Sequence, residues 1–430
     1  MNKSLTFPPQ HLIYFLIFTA FGPYVISGIR LGQLAVYFLA IFLLLLNRIR
    51  LKREESVLAI LITSTLLFFI PFFGLVSGDN SISNTLIISQ IENYLTPIVV
   101  FIIALSLLRH KNQVGIDEVM NTCIKIFLVL LCLNSIFSVY LFSSSNEYLL
   151  TMFTGTREVT FGSQSQQFAG ETAASLALSA GRIPGVFTQV FEAGTAYSFG
   201  LVCFSYIRTI EPKKITRNLI ILLMILVGGT LTFSKVFFLI GSLATIYFLG
   251  ITRLIKILII IFPILAVTLI YFPELEIAGI PFGQGFASIT RLFVATGGIS
   301  IEVLTSGRFG PQSDITRGML DVFAASPIFG LGFGSIETSD FSLYEVISIG
   351  GMLALLTYLF LFFLFIFFAA VQKAKIDRKF FLAIIFIAMI ASLGGPIITA
   401  NRIAIIFWIF ISLMCLKLRK DRGDSSPKVA

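Results

Sequence analysis

Long apolar runs alternate with short polar connectors along most of the chain. A membrane-spanning helix needs ~20 apolar residues to cross the hydrocarbon layer. By this measure the pattern predicts twelve helices, at about 11–29, 31–47, 56–77, 86–108, 121–142, 195–209, 218–232, 235–250, 254–272, 342–370, 380–396 and 400–416. The sequence therefore predicts an all-α integral membrane protein with about 12 transmembrane helices, folded as a single polytopic domain over residues 1–430.

Two long stretches interrupt this pattern, at about 143–194 and 273–341. Loops of more than a dozen residues without structure of their own are uncommon unless they are functional. The first carries two Arg against four Glu, a net charge of −2, and the second three Arg against seven acids, a net charge of −4. We expect short amphipathic helices and the functional residues in these two loops.

Composition and charge place these loops relative to the membrane. The chain is 57% hydrophobic and 12% charged with a mean hydropathy of +0.95, which excludes a soluble domain. Six basic connectors, the last of them in the tail 417–430, lie on one side if the number of spans is even. Because basic loops stay cytoplasmic, both termini are predicted to be cytoplasmic and the long loops periplasmic. The net charge of +9 thus indicates topology and not a nucleic-acid partner.

The second loop contains a predicted amphipathic helix that begins after Ser313, ends near Ala325 and is terminated by Pro327. Such a helix is suited to lying on the membrane surface. The segment "GLGFGS" (330–335) follows. Since no strand precedes it, we reject a dinucleotide site and expect the glycines to let the backbone approach a neighbour or a ligand.

Two arginines in the loops are candidates for anion binding. Arg182 lies between glycines before the sixth predicted helix, and Arg308 follows a glycine before the amphipathic helix. A planar guanidinium binds phosphate with two hydrogen bonds, so Arg182 and Arg308 could hold one diphosphate together. Arg317 has two aspartates within reach on its helix, so it is either half of a solvated ion pair or a further substrate-binding cation.

Several segments together resemble the O-antigen polymerase and O-antigen ligase superfamily (Wzy-like). They are "GRIPGVFTQ" in the first loop, and "SGR", "SPIFGLGFGS" and "YEVISIGGMLALLTYLF" in and after the second. The segment "LTFSKVFFLIG" (231–241) is similar to the family's Ser-Arg turn, with Lys235 where arginine is common. The resemblance covers about residues 180–365.

The resemblance implies a metal-independent membrane glycosyltransferase of the bacterial inner membrane, with its active site facing the periplasm. It would polymerise undecaprenyl-diphosphate-linked oligosaccharide repeat units into a surface polysaccharide, with no cofactor. The implied partners are this lipid-linked substrate, membrane lipids and a polysaccharide chain-length regulator. The family's arginines hold the diphosphate, and by resemblance that role falls to Arg182, Arg308 and Lys235.

Acidic residues are candidates for the base that removes the acceptor hydroxyl proton. Asp340 occupies the region in which ligases of this superfamily carry a histidine, and no histidine is present there. Glu345 at the start of the tenth predicted helix and Glu192 are further candidates, although an acid at a helix start also favours the dipole. The missing histidine favours polymerase over ligase, and the absence of any Asp-x-Asp pair argues against a metal-bound nucleotide-sugar donor.

Two charges lie within apolar runs. Glu92 is about eight residues inside the fourth predicted helix, and Arg402 is near the start of the twelfth. A charge at such depth is costly and is functional by default. We expect Glu92 and Arg402 either to bind substrate or to form a buried pair, for which Arg30 is another partner of Glu92.

Three other functions remain open at this point. A flippase or another transporter of lipid-linked oligosaccharide has a similar number of helices, although it usually shows two similar halves, and no internal repeat is evident here. An O-antigen ligase is disfavoured by the missing histidine. A non-enzymatic export scaffold gives no reason for the two loop arginines. No metal site is predicted, because the four cysteines lie in apolar runs.

Overall fold

The computed structural model describes residues 8–26, 29–49, 54–77, 84–109, 113–144, 146–154, 180–212, 215–249, 276–277, 280–281, 313–335, 342–399 and 402–423. Within these ranges the helices and strands, in chain order, are α1 (Gln10–Ala20), β1 (Tyr24–Ile26), β2 (Ile29–Arg30), α2 (Leu31–Leu45), α3 (Glu55–Ser77), α4 (Asn84–Leu108), α5 (Gln113–Ser144), α6 (Glu147–Thr154), α7 (Val190–Ile210), α8 (Ile215–Leu231), the π-helix π1 (Val236–Gly241), α9 (Ser242–Leu249), β3 (Glu276–Ile277), β4 (Ile280–Pro281), α10 (Asp314–Ala325), α11 (Ser342–Ala370), α12 (Lys375–Ala391) and α13 (Arg402–Gly423).

These helices confirm an all-α membrane protein. Five described helices are long and apolar enough to cross a membrane, and they include the segments Glu55–Leu75, Ile87–Leu108, Val114–Ser144, Val190–Ile210 and Ser342–Ala370. Described helices also occupy the other predicted apolar segments except 254–272, which lies outside the described residues. The total of twelve spans and the side on which each terminus lies stay predictions.

The first predicted segment, 11–29, differs from the structure in its second half. The helix α1 ends at Ala20, and β1 pairs antiparallel with β2 so that Tyr24 lies opposite Arg30. Pro23 has no N–H to continue a helix, and its carbonyl oxygen accepts a 3.0 Å hydrogen bond from the Leu31 N–H. This short hairpin places Tyr24 and Arg30 at the start of α2.

The helices α7 and α13 form the interior of the bundle. Described side chains of α13 are buried from Arg402 to Leu418, and those of α7 are almost all buried up to Ile207. A helix that is apolar on all sides is stable only when other helices surround it. Small residues permit the close packing: a Cβ on Gly194 of α7 would lie 2.2 Å from the Ser234 hydroxyl oxygen.

The predicted tail 417–430 begins within a helix, because α13 continues to Gly423. Lys417 is buried at 3% exposure, and its Nζ lies 2.8 Å from Asp117 Oδ1 and 2.5 Å from Asp377 Oδ2. The Tyr206 hydroxyl donates a 2.8 Å hydrogen bond to the other Asp377 oxygen. One charged network thus connects α5, α7, α12 and α13. We call this end of the bundle the lysine end.

The glycine-rich segment 330–335 packs its backbone into a break in α11. The break is at Gly351, which has φ +62° and ψ −160°. The Leu331 N–H donates to the Ser348 carbonyl at 2.7 Å, and the Met352 N–H donates to the Pro327 carbonyl at 2.9 Å. The predicted close approach of backbone is therefore confirmed, and the neighbour is α11. Irregular backbone at membrane depth needs such internal partners.

The substitution Gly351→Ala is expected to destabilise the protein by ~1–3 kcal/mol or more. The new Cβ would lie 2.4 Å from the Ile328 carbonyl oxygen and 2.5 Å from the Gly330 nitrogen, and the residue would keep a positive φ. The control is Gly394→Ala, whose nearest atom would be 3.4 Å away and whose φ is not positive. Thermal unfolding of the two detergent-solubilised variants tests this, and equal midpoints would contradict it.

Candidate functional site

Several helices begin or end at the end of the bundle opposite Lys417. On α13, Arg402 and Lys417 are fifteen residues apart, which is ~22 Å along a helix axis. The helices α2, α7, α11 and α13 begin there, and α1, α8 and α12 end there, as their order and packing require. We call this the arginine end, because Arg30, Arg182 and Arg402 lie at it. The positive poles of the helices that begin there are opposed by the negative poles of those that end there, so the positive charge of this end comes from the three arginines.

Arg402 is the most enclosed of the three arginines at the arginine end. It is 2% exposed, and its Nη2 donates a 2.5 Å hydrogen bond to the Phe153 carbonyl oxygen of α6. Its backbone N–H donates to Glu192 Oε1 at 2.7 Å. Its Nε and Nη1 have no hydrogen-bond partner among the described residues. The guanidinium therefore keeps hydrogen-bond donors for another acceptor.

Arg30 lies over the same aromatic ring as Arg402. The Cζ atoms of Arg402 and Arg30 lie 5.8 Å and 5.9 Å from the centroid of the Tyr24 ring. A ring face attracts a cation, so Tyr24 helps to hold two like charges close together. The two arginines also line one cavity of about 20 Å³, room for about one water-sized group. Its other lining residues are Ala20, Gly32, Gln33, Asn93, Thr96, Thr399 and Ile405.

Glu92 lies on α4 beside this cavity. It precedes Asn93, which lines the cavity, and its carboxylate is in electrostatic contact with Arg30. The hydroxyl of Tyr37 lies 2.9 Å from the Thr96 hydroxyl one turn further along α4. Of the two expected partners of Glu92, Arg30 interacts with it electrostatically, while the backbone N–H of Arg402 donates to a different carboxylate, that of Glu192.

Glu192 is fully buried and holds two backbone groups. In addition to the Arg402 N–H, it accepts a 3.2 Å hydrogen bond from the Thr188 N–H through Oε2. Both carboxylate oxygens are therefore engaged in joining the start of α13 to the segment before α7. This makes Glu192 a structural anchor of the arginine end and weakens its candidacy as a base.

Arg182 belongs to the segment before α7, and its side chain contacts the turn between α8 and π1. Its Nη2 donates a 3.3 Å hydrogen bond to the Phe233 carbonyl, two residues before Lys235. The Ile183 N–H donates to the Leu231 carbonyl at 2.8 Å. The structure thus brings the first arginine segment onto the turn that contains Lys235, and both side chains are half-buried.

Asn134 of α5 fixes the position of the Arg182 segment. Its Oδ1 accepts a 2.8 Å hydrogen bond from the Val186 N–H, and its Nδ2 donates to the Tyr197 hydroxyl at 2.9 Å. Gly185 has φ +67°, and a Cβ there would meet Asn134 Oδ1 at 2.2 Å. The predicted glycine before the sixth helix therefore permits close packing on α5.

The other predicted residues have different surroundings. Glu345, in the first turn of α11, is 1% exposed, and the nearby Ser342 hydroxyl donates to the Gly395 carbonyl at 3.0 Å. Arg317 is exposed on α10, which begins after Ser313 as predicted, although the Ser313 side chain makes no capping hydrogen bond. Arg308 and Asp340 lie outside the described residues.

Sequence reasoning missed the position of Tyr24 and the pairing of Arg30 with Arg402. Tyr24 was within a predicted helix, so no signal indicated that one ring contacts two arginines. The described residues contain no group of three or more metal-ligating side chains. Comparison with protein-family models gives no match to this sequence, and comparison with curated proteins gives none either.

Proposed function

We propose that the protein is a membrane glycosyltransferase that polymerises polyprenyl-diphosphate-linked oligosaccharide repeat units. The observation that carries this proposal is the grouping of Arg182, Lys235 and Arg402 at one end of the bundle. These residues come from distant parts of the chain, and they bring three positive charges to one end of the bundle. Such a region is suited to binding a polyanionic lipid head group.

The proposed reaction transfers the growing glycan from one lipid carrier to an incoming unit. The bond between the anomeric carbon and the diphosphate oxygen breaks, and the acceptor hydroxyl oxygen bonds to that carbon. The diphosphate leaves with the electron pair, and the hydroxyl proton passes to a base, for which Asp340 and Glu345 are the candidates. Arg182 and Arg308 would stabilise the charge that develops on the diphosphate, with Lys235 beside them.

The periplasmic orientation, the inner-membrane location and the chain-length regulator belong to the same proposal. Positive-inside topology supports this orientation, because it puts the arginine end on the periplasmic side. Arg317 remains a candidate contact for a substrate at the membrane surface, since its side chain is exposed on a short amphipathic helix.

A chain-elongation assay tests this function. Lipid-linked repeat units would be extracted from a strain of the source organism that lacks this gene and incubated with the purified protein and a chelator. We expect products that grow by whole repeat units without any nucleotide sugar, measured by mass spectrometry. Movement of unchanged substrate across a liposome bilayer would instead indicate a flippase, and transfer only to a lipid core oligosaccharide would indicate a ligase.

A further inference from the structure

We propose that Arg402 and Arg30 form a second binding site, for a phosphate or diphosphate group, distinct from the Arg182–Arg308 clamp. The residues that line their cavity come from α1, β2, α2, α4, α13 and the segment before α13, and Arg182 is not among them. The site therefore combines three helices from the N-terminal part of the chain with α13, the last described helix.

The state of the Arg402 side chain points to a ligand. A guanidinium carries five N–H donors and cannot lose its charge at physiological pH. With 2% exposure, Nε and Nη1 have no partner among the described residues. Burying such donors costs free energy unless each one donates a hydrogen bond to an acceptor. An anionic oxygen in the adjoining cavity supplies this acceptor.

A second cation and two helix N-termini favour an anion in this place. Arg30 immediately precedes α2 and Arg402 is the first residue of α13, so two helix dipoles direct their positive poles at the cavity, against the one negative pole of α1, which ends at Ala20. Two arginines held against one Tyr24 ring repel each other, and a negative ligand between them relieves that repulsion.

Two nearby acids, Glu192 beside Arg402 and Glu92 beside Arg30, offset part of the positive charge but do not line the cavity. Both oxygens of Glu192 accept hydrogen bonds from backbone N–H groups and not from the Arg402 guanidinium. Glu92 is in electrostatic contact with Arg30 but does not line the cavity. The polar groups that do line it include Asn93 and Thr96, whose amide and hydroxyl can donate to phosphate oxygens.

The dimensions of the cavity indicate what part of a ligand it takes. With about 20 Å³ it has room for one oxygen of a phosphate group, and not for the whole group or for a sugar ring. Both substrates of the proposed polymerisation carry a diphosphate, so a second phosphate site has a use there, and this last step alone rests on the proposed function.

Trp408 provides a direct probe of binding. It is the only tryptophan in the sequence, is buried, and lies six residues from Arg402 on α13, ~9 Å along the helix axis. The purified full chain in detergent would be titrated with sodium pyrophosphate, with undecaprenyl diphosphate and with undecaprenol, which has no phosphate. We expect a saturable change in Trp408 fluorescence with at least one of the two phosphate probes and none with undecaprenol.

The substitution Arg402→Gln is expected to weaken this binding ~10–100-fold, the effect of losing charge-assisted hydrogen bonds. Arg30→Gln tests the same site if Arg402→Gln does not fold, and Arg208→Gln, exposed near the far end of α7, is the matched control. Binding of pyrophosphate identifies a free anion as sufficient, whereas binding of the lipid alone identifies a lipid head group.

The inference is overturned if neither phosphate probe binds, or if Arg402→Gln and Arg30→Gln bind as the wild type does. Its failure can be told from failure of the proposed function. Arginine-dependent phosphate binding without chain elongation would refute only the polymerase, and elongation without such binding would refute only this site.

Discussion

Polymer synthesis by the Arg182→Ala variant is expected to fall ~10²–10³-fold relative to the wild type. This is the typical effect of removing one donor that stabilises developing negative charge in an enzyme site. Alanine removes the Arg182 charge that lies beside Phe233 and leaves the charge of Lys235 in place. The segment stays attached through the Ile183–Leu231 and Val186–Asn134 hydrogen bonds. The variant should therefore fold, since the hydrogen bond from the charged Arg182 side chain to the Phe233 carbonyl contributes only ~1.5–3 kcal/mol.

The rate would be measured with purified protein and lipid-linked repeat units, together with the polymer length distribution in cells. Arg182→Lys keeps the charge but loses the planar fork, so an intermediate rate is expected. Arg208→Ala is the matched control, because it removes an exposed arginine from the opposite end of α7. Arg308→Ala should resemble Arg182→Ala. Normal expression with full-length polymer from either variant would exclude the diphosphate clamp.

The parts of the site that sequence could predict are those signalled by local pattern. Arg402 was predicted to bind substrate or pair because a charge near an apolar run is costly, and the structure buries it beside a cavity. The glycines of 330–335 were predicted to allow close backbone approach, and Gly332 donates to the Ile349 carbonyl at 3.0 Å. In both cases the chemistry of one residue type, a buried charge or a glycine, is enough to make the prediction without knowledge of the fold.

The missed parts depend on pairing between distant segments. Glu192 was a candidate base, and only the fold shows that it holds the backbone of Arg402, 210 residues away. The break at Gly351 lies within an apolar run that predicts an uninterrupted helix, and it requires the inserted backbone near Pro327 to supply hydrogen bonds. The position of Tyr24 beside Arg30 depends on the β1–β2 hairpin, and hydropathy alone does not distinguish this hairpin from a continuing helix.

Lys417 illustrates the same limit at the other end of the bundle. In the sequence it begins a basic segment typical of a cytoplasmic tail. In the structure it is buried between Asp377 and Asp117, and the Tyr206 hydroxyl donates a hydrogen bond to the second oxygen of Asp377. Charge counting gave its expected side of the membrane, but it could not show that this lysine joins three helices.

The substitution Lys417→Met is expected to lower the free energy of unfolding by ~3–5 kcal/mol, because it leaves the buried Asp377 carboxylate without its cation. The pair is nearly inaccessible to water, with side-chain exposures of 3% and 7%. Lys125→Met is the matched control: Lys125 and Glu211 are exposed by 43% and 27%, so its loss should cost less than ~1 kcal/mol.

Unfolding of both variants in mixed detergent and dodecyl sulfate micelles would give the comparison. The double substitution Lys417→Met with Asp377→Leu should recover much of the lost stability, because it removes both buried charges together. If Lys417→Met and Lys125→Met were equally mild, the lysine end would not hold the helices together. A large loss that the double variant failed to recover would show instead that Lys417 acts through Asp117, whose half-exposed carboxylate lies 2.8 Å away.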